Sequence, residues 1–176
     1  MTTQQASSAD GAGQYLIFSL RGEKFALGIL CIREIIEYRA VTEMPLMPDA
    51  VRGVINLRGA VVPVIDLAAR FNRGRTDVQR RACIVIVEVR HAGASQAVGV
   101  LVDGVTQVVD IPESDIEAPP SFGSRLRADF IAGMAKIDEQ FVIVIDVARA
   151  LSMGEIAELG SSVATAAPQP SVASLA

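Results

Sequence analysis

The chain has 176 residues, 51% of them hydrophobic but only 5% aromatic, with no tryptophan and a formal net charge of −4. That length makes one ordinary domain or two small ones, and a core of valine, isoleucine, leucine and alanine favours strands. Asp66, Asp103 and Asp146 interrupt the most apolar runs, so none approaches the roughly 18 residues that span a bilayer; the negative charge argues against a general nucleic-acid binder.

Residues 1–14 are small and polar. They lack the basic start and apolar stretch of a secretory signal, which predicts a flexible tail on a soluble, intracellular chain. Next come YLIFSL (15–20), the turn RGEK and FALGIL, which read as a hairpin. CIREIIEY (31–38) follows, and then a second hairpin, in which INL passes through Arg58-Gly59 into AVVPVIDL. Pro63 has no N–H to donate, so its strand is expected at an edge or bulged. The stretch RFNRGRTDVQRR (70–81) holds five of the sixteen basic side chains. It reads as a solvated linker or as an electrostatic contact with an acidic partner. A third hairpin runs from CIVIVEV through RHAGASQ into AVGVLVDGV. Asp66 and Asp146 precede LAARF and VARAL, which look like helical turns with aspartate N-caps. DVARALSMGEIAELG can extend into a short amphipathic helix, and SSVATAAPQPSVASLA (161–176) reads as a second flexible tail.

The chain is duplicated. GVINLRGAVVPVIDL (53–67) returns eighty residues later as GMAKIDEQFVIVIDV, with Gly53 answering Gly133 and Asp66 answering Asp146. ALGIL (26–30) resembles AVGVL (97–101), and Ile32, Ile35 and Ile36 then match Val105, Val108 and Val109. Two copies are too few for a solenoid, and closure would remove the free edges of such short apolar strands. The expected architecture is therefore all-β: two small barrels related by internal duplication, with short helical turns and a short C-terminal helix. Its segments are a tail over 1–14, a first half over 15–71, a linker over 72–80, a second half over 81–151, a helix over 152–160 and a tail over 161–176. This order is compatible with exchange of terminal elements between the halves.

Catalytic groups are scarce. The single histidine, His91, lies in a polar turn, and Cys31 and Cys83 have no metal-ligand spacing and read as small buried hydrophobes. No phosphate loop and no strand–GxGxxG–helix unit is present. The paired acids Glu113/Asp115 and Asp138/Glu139 are expected as solvated turn residues. No enzymatic activity, metal or cofactor is expected. Glu34 within CIREIIEY and Arg58 at a hairpin tip can pair across strands to shape a binding face.

INLRGAVVPVIDLAARF, CIREIIEY and AVGVLVDGVTQVVDI together resemble the CheW family of bacterial chemotaxis coupling proteins and the related regulatory domain of the kinase CheA, over roughly residues 14–155. The resemblance implies two five-stranded β-barrels and a non-catalytic, cytoplasmic adaptor. Such an adaptor links the tips of methyl-accepting chemoreceptors to CheA in membrane-associated arrays, without inserting into the membrane. It also implies roles for particular residues. Ile32, Glu34, Gly53, Asn56, Arg58 and Gly59 match partner-binding positions; Gly99, Val102, Asp103 and Gly104 match a stretch near the receptor groove. Phe122 matches an aromatic that contacts a neighbouring CheW-like barrel. A CheW-like adaptor of another chemosensory pathway, such as twitching, biofilm formation or gene regulation, is the alternative. A nucleic-acid binder using the 70–81 arginines would need stacking aromatics that the sequence lacks.

Overall fold

The computed structural model describes residues 13–71, 73–91, 93–119 and 130–151, with the His91 side chain left aside. The expected helix over 152–160, the tail over 161–176 and all but the last two residues of the N-terminal tail lie outside the described residues. Ten strands carry the fold: β1 (Gln14–Leu20), β2 (Glu23–Gly28), β3 (Ile32–Glu37), β4 (Val51–Leu57), β5 (Ala60–Asp66), β6 (Cys83–His91), β7 (Ala94–Val102), β8 (Gly104–Asp110), β9 (Ile131–Ile137) and β10 (Gln140–Ile145). Two single-turn helices follow β5 and β10: α1 (Leu67–Arg70) and α2 (Val147–Ala150). As expected, each has an aspartate N-cap. Asp66 accepts from the Ala69 N–H and Asp146 from the Arg149 N–H.

The strands form two five-stranded sheets, ordered β8-β1-β2-β10-β9 and β3-β6-β7-β5-β4. Replacing each strand by its repeat equivalent (β1 by β6, β2 by β7, and so on) converts the first order into the second. The sheets therefore do not follow the sequence segments 15–71 and 81–151. Each takes a hairpin from one half and three strands from the other, joined in part by the parallel pairs β2–β10 and β5–β7.

Three apolar cores explain the near-continuous hydrophobic runs. In β1, Leu16 and Phe18 enter a core shared by the two sheets, while Ile17 faces a core belonging to the first sheet alone. In β6, Val85 and Val87 enter the shared core and Ile84 and Ile86 the second sheet's own core. Inner strands are thus buried on both faces, which removes the polar alternation of a half-exposed strand. A chain of rings, Phe18–Phe25–Phe71–Phe130, crosses the shared core with centroids 5.7–5.9 Å apart. Beside it the Arg70 guanidinium lies 4.7 Å over Phe130 and its Nε donates to the Ala150 carbonyl at 2.7 Å, linking α1 to α2.

The barrels are rolled but not closed. Side chains from all five strands of the second sheet, edges included, meet in its own core. Yet no ladder joins β3 to β4, or β8 to β9, among the described residues. The outer edges are instead met by single bridges: Thr42 exchanges two hydrogen bonds of 2.9 Å with Val54 of β4, and Glu117 two of 2.8 Å with Met134 of β9. This corrects the expectation for Pro63, which lies in an interior strand. Val54 turns its backbone groups outward to Thr42, so its pairing with Pro63 needs no proline N–H, and the ladder with β7 begins only at Val64.

Because each sheet draws strands from both halves, cutting the chain within 72–80 should leave two fragments that are unfolded alone and regain β structure when mixed. Circular dichroism of the separate and combined fragments checks this. A cooperative thermal transition from either fragment alone would contradict it.

Candidate partner-binding surface

Rolling the second sheet brings its two edges, β3 and the β4–β5 hairpin, to a common seam. Arg58 and Gly59 are the two residues of that hairpin, both at positive φ (54° and 90°), the twist that suits strands joined by two residues. The Asn56 side chain accepts from the Gly59 N–H at 2.8 Å and so fixes the turn. Across the seam, the Arg58 guanidinium donates two hydrogen bonds to the Glu34 carboxylate, at 2.5 and 2.8 Å. The Arg58 side chain remains 71% exposed and that of Glu34 29%. This is a bidentate fork held at the surface. The hydrogen bonds from Arg58 hold the Glu34 carboxyl below the usual glutamate range, with Arg33 and Arg39 adding smaller contributions in the same direction.

A bulge sets what else faces this seam. The β3–β6 register shifts between Ile32 and Glu34, making Arg33 an extra residue. Ile32 therefore packs on the shared core and Ile36 on the sheet's own core, although they stand an even four positions apart. The expected apolar contact at Ile32 is half-buried, while Leu30, Ile35 and Val61 are the large hydrophobic side chains exposed nearby in β3's approach, in β3 and in β5. Arg39 was not singled out from the sequence, where nothing separates it from an ordinary surface arginine. It donates to the Asn56 carbonyl at 3.1 Å and ties the far side of the turn to the chain leaving β3.

The remaining expected residues fall elsewhere. Gly53 is buried at φ 143°, and a Cβ there would sit 2.1 Å from the Thr42 carbonyl oxygen. Its repeat Gly133 lies equally tight under Ile116 and Glu117. Both glycines admit the bridging segment that covers the edge strand. Gly99 is buried, with a Cβ there 2.8 Å from an Ile84 methyl, and Val102 is fully buried in the shared core. Asp103 and Gly104 form the β7–β8 corner, where the Asp103 carboxylate accepts from the Arg21 N–H at 2.6 Å. Phe122 lies outside the described residues. So Glu34, Asn56, Arg58 and Gly59 converge, while Gly53, Gly99 and Val102 occupy packing positions.

Among the described residues no group of three or more His, Cys, Asp or Glu is placed to hold a metal ion. Cys31 and Cys83 are free and half-buried rather than fully buried. Burial pushes the Cys31 thiol up to about 11 and Cys83 in the same direction, so both are neutral thiols at neutral pH.

Two consequences can be measured. A glutamate with a lowered folded value keeps its interaction at neutral pH and loses it as pH falls through that value. In carboxyl-carbon NMR titrations, Glu34 should titrate below an ordinary glutamate, and Arg58→Ala should return it upward. Separately, Gly53→Ala should lower stability in denaturant unfolding by about 2–4 kcal/mol through backbone overlap. Gly104→Ala, whose Cβ would meet nothing closer than 3.5 Å, should leave stability nearly unchanged.

Residues 14–155 match the CheW-like domain family. The chain is 30% identical to the chemotaxis protein CheW of Klebsiella aerogenes, covering 89% of this chain and 93% of that protein. It is 34% identical to the probable chemotaxis protein CheW of Rhizobium etli, covering 78% and 86%. The crystal structure of the scaffolding protein TtCheW from Thermoanaerobacter tengcongensis superposes with a TM-score of 0.71 at 33% identity, covering 82% of this chain and 91% of that one. With the family match over residues 14–155, relatives at 30% identity or more across most of both chains and a shared fold, the chain belongs to the CheW-like domain family.

Proposed function

We propose that this chain is a non-catalytic chemotaxis adaptor that couples the cytoplasmic tips of methyl-accepting chemoreceptors to the histidine kinase CheA. The Glu34–Arg58 fork at the open seam of the second sheet carries this reading. It is a charged, geometrically fixed feature on an exposed surface, where it adds little to the fold and much to the orientation of a partner. Ile35 stands exposed beside Glu34, and Val61 is exposed opposite Asn56 in the β4–β5 register. An apolar contact bordered by a fixed ion pair is the anatomy of a specific interface.

In this reading the regulatory domain of CheA, itself CheW-like, docks on the seam through Glu34, Asn56, Arg58 and Gly59, with Ile35 and Val61 against its apolar surface. The receptor takes the surface near the β7–β8 corner at Asp103 and Gly104. Gly53, Gly99 and Val102 act through packing. Other CheW-like barrels contact the chain through the region of Phe122. Among the described residues no helix is long and apolar enough to cross a membrane. Membrane proximity would then come from recruitment to receptor arrays, with the chain itself in the cytoplasm. Signal passes as a shift in the populations of assembled states, with no chemical step.

Arg58→Ala should weaken binding to a purified CheA regulatory domain by about tenfold or more, by analogy with truncated interface arginines, while the melting temperature stays near wild type. Isothermal titration and thermal unfolding of the same preparations check both. A large fall in melting temperature would show that Arg58 supports the fold instead. Unchanged affinity for the kinase domain would move the docking site away from the seam.

A further inference from the structure

The arginine-rich segment borders a cleft that the adaptor reading touches only at the β7–β8 corner. A cleft of about 650 Å³ opens between the β1–β2 turn, the segment leading into β6 and the β7–β8 corner. Arg21 comes from the turn, Arg80 and Arg81 from the segment, and Asp103 from the corner. We propose that this cleft binds a small soluble anion bearing two or more phosphoryl groups.

The walls are pinned in place. Asp66 is fully buried and accepts from the Thr76 N–H at 2.7 Å and the Thr76 hydroxyl at 2.8 Å, holding the start of the segment. The Ala82 N–H donates to the Gln79 carbonyl at 2.9 Å and closes its end. On the opposite wall, Asp103 receives the Arg21 N–H, and its own N–H donates to the Ser19 carbonyl at 3.0 Å. Arg21 sits at φ 50° in a two-residue turn, and its guanidinium donates to the Arg75 carbonyl at 3.4 Å, which ties the turn to the segment.

The arginines of this cleft lack the carboxylate partner that several others have. Arg33, Arg52, Arg58, Arg73 and Arg149 each lie against a carboxylate: Glu88, Asp66, Glu34, Glu23 and Asp146 respectively. Among the described residues, Arg21, Arg80 and Arg81 make no such pair, although Asp77 and Asp103 line the same cleft. Asp103 directs one oxygen to a main-chain N–H, and its other oxygen is covered without a partner among the described residues. Three arginines thus line one concave volume without a carboxylate partner among the described residues, the Arg21 guanidinium donating only to the Arg75 carbonyl.

The lining selects the ligand class. The volume is that of a small-molecule site, but the apolar and aromatic side chains that hold most such ligands are missing from it. Guanidinium forks match phosphoryl oxygens in bidentate geometry, and a concave wall concentrates their potential on a chain whose net charge is −4. Two or three phosphoryl groups in series offer enough oxygens, over enough length, to meet three arginines drawn from two walls. Bound there, the anion ties the β1–β2 hairpin of the first sheet to the strand entry of the second, giving the scaffold an input independent of its partner seam.

The test is isothermal titration of the full chain with tripolyphosphate at constant ionic strength. Saturable binding is expected in wild type and in Arg58→Ala. The Arg80→Ala/Arg81→Ala double variant should bind about tenfold or more weakly, as loss of two charge-assisted contacts implies. Both side chains are exposed, so that variant should keep its melting temperature. No saturable binding by wild type, or equal binding by the double variant, overturns the proposal. So does arginine-dependent binding of an acidic peptide or of phosphatidylglycerol vesicles when tripolyphosphate does not bind.

Discussion

Neither half of the chain can complete a sheet without the other. The β1–β2 hairpin finds its neighbours in β8 and β10, and β6–β7 finds its neighbours in β3 and β5. A hairpin alone is marginal in water, so the exchange makes the two sheets one cooperative unit. The shared core reinforces this. Its side chains come from β1 and β2 on one side and from β6 and β7 on the other, with Phe71 and Phe130 supplied by the chain after α1 and before β9. Opening a gap between the sheets would expose that apolar surface to water, an unfavourable step at roughly 25 cal/mol per Å². Two sheets tied in this way move as one body, which suits a scaffold that must report a displacement at one surface to another.

The same duplication that builds two sheets leaves two seams, and they differ in charge rather than in backbone. Asp138 and Glu139 occupy a two-residue turn at positive φ like that of Arg58 and Gly59. As expected, both acids are exposed turn residues. Gln107 and Asp138 stand where Glu34 and Arg58 stand in the other sheet, and a neutral amide cannot answer a carboxylate with an ion pair. Exposed apolar residues do not discriminate between the seams, because Ile35 and Val61 are matched by Val108 and Phe141, also exposed. Apolar exposure is thus common to both surfaces, and the fixed fork of Arg58 on Glu34 distinguishes one. Specificity resides in the charge pattern, where a wrong partner meets like charge or an unfilled donor.

Strand positions, hairpins, aspartate caps and the repeat were readable in the sequence, since turn residues and apolar runs are local signals. Sheet membership was not. A β1–β2 hairpin paired with β8 and β10 has the same apolar pattern as one paired with β3 and β5, so period and composition are blind to the exchange. The different cores met by Ile32 and Ile36 were hidden for a related reason: alternation assigns faces only while the register holds, and the extra Arg33 shifts it. Gly53 carried a clear signal in recurring as Gly133, but the bridging segments that demand both glycines have little in common. Thr42 and Glu117 bond through their backbones, so their side chains record nothing of the contact. Glu34 and Arg58 were legible because a charge within an apolar strand and a charge at a turn are each conspicuous; their meeting required the sheet to roll.

The two aspartates show how a repeat can keep a role and diverge around it. Both cap a helical turn, yet Asp146 is partly exposed with Arg149, while Asp66 is fully buried among Arg52, Ala69 and Thr76. Burying a carboxylate is tolerable only when its oxygens are filled by donors and a cation. Arg52 supplies the cation, donating to Asp66 at 3.0 Å and also to the Thr76 carbonyl; the matching position in the other copy is Ala132, which cannot. Thr76 belongs to the segment expected as a solvated linker, and its two bonds to Asp66 fold that segment against the second sheet. The connection from α1 to β6 starts and ends in the second sheet, and it must deliver there the hairpin contributed by the other half of the chain. A slack connection would leave β6 to find its place by diffusion of a long loop, whereas a pinned one shortens the search. Around Asp66 the repeat has thus diverged to hold this connection, and the arginines that follow Thr76 are displayed on a wall whose position the buried carboxylate sets.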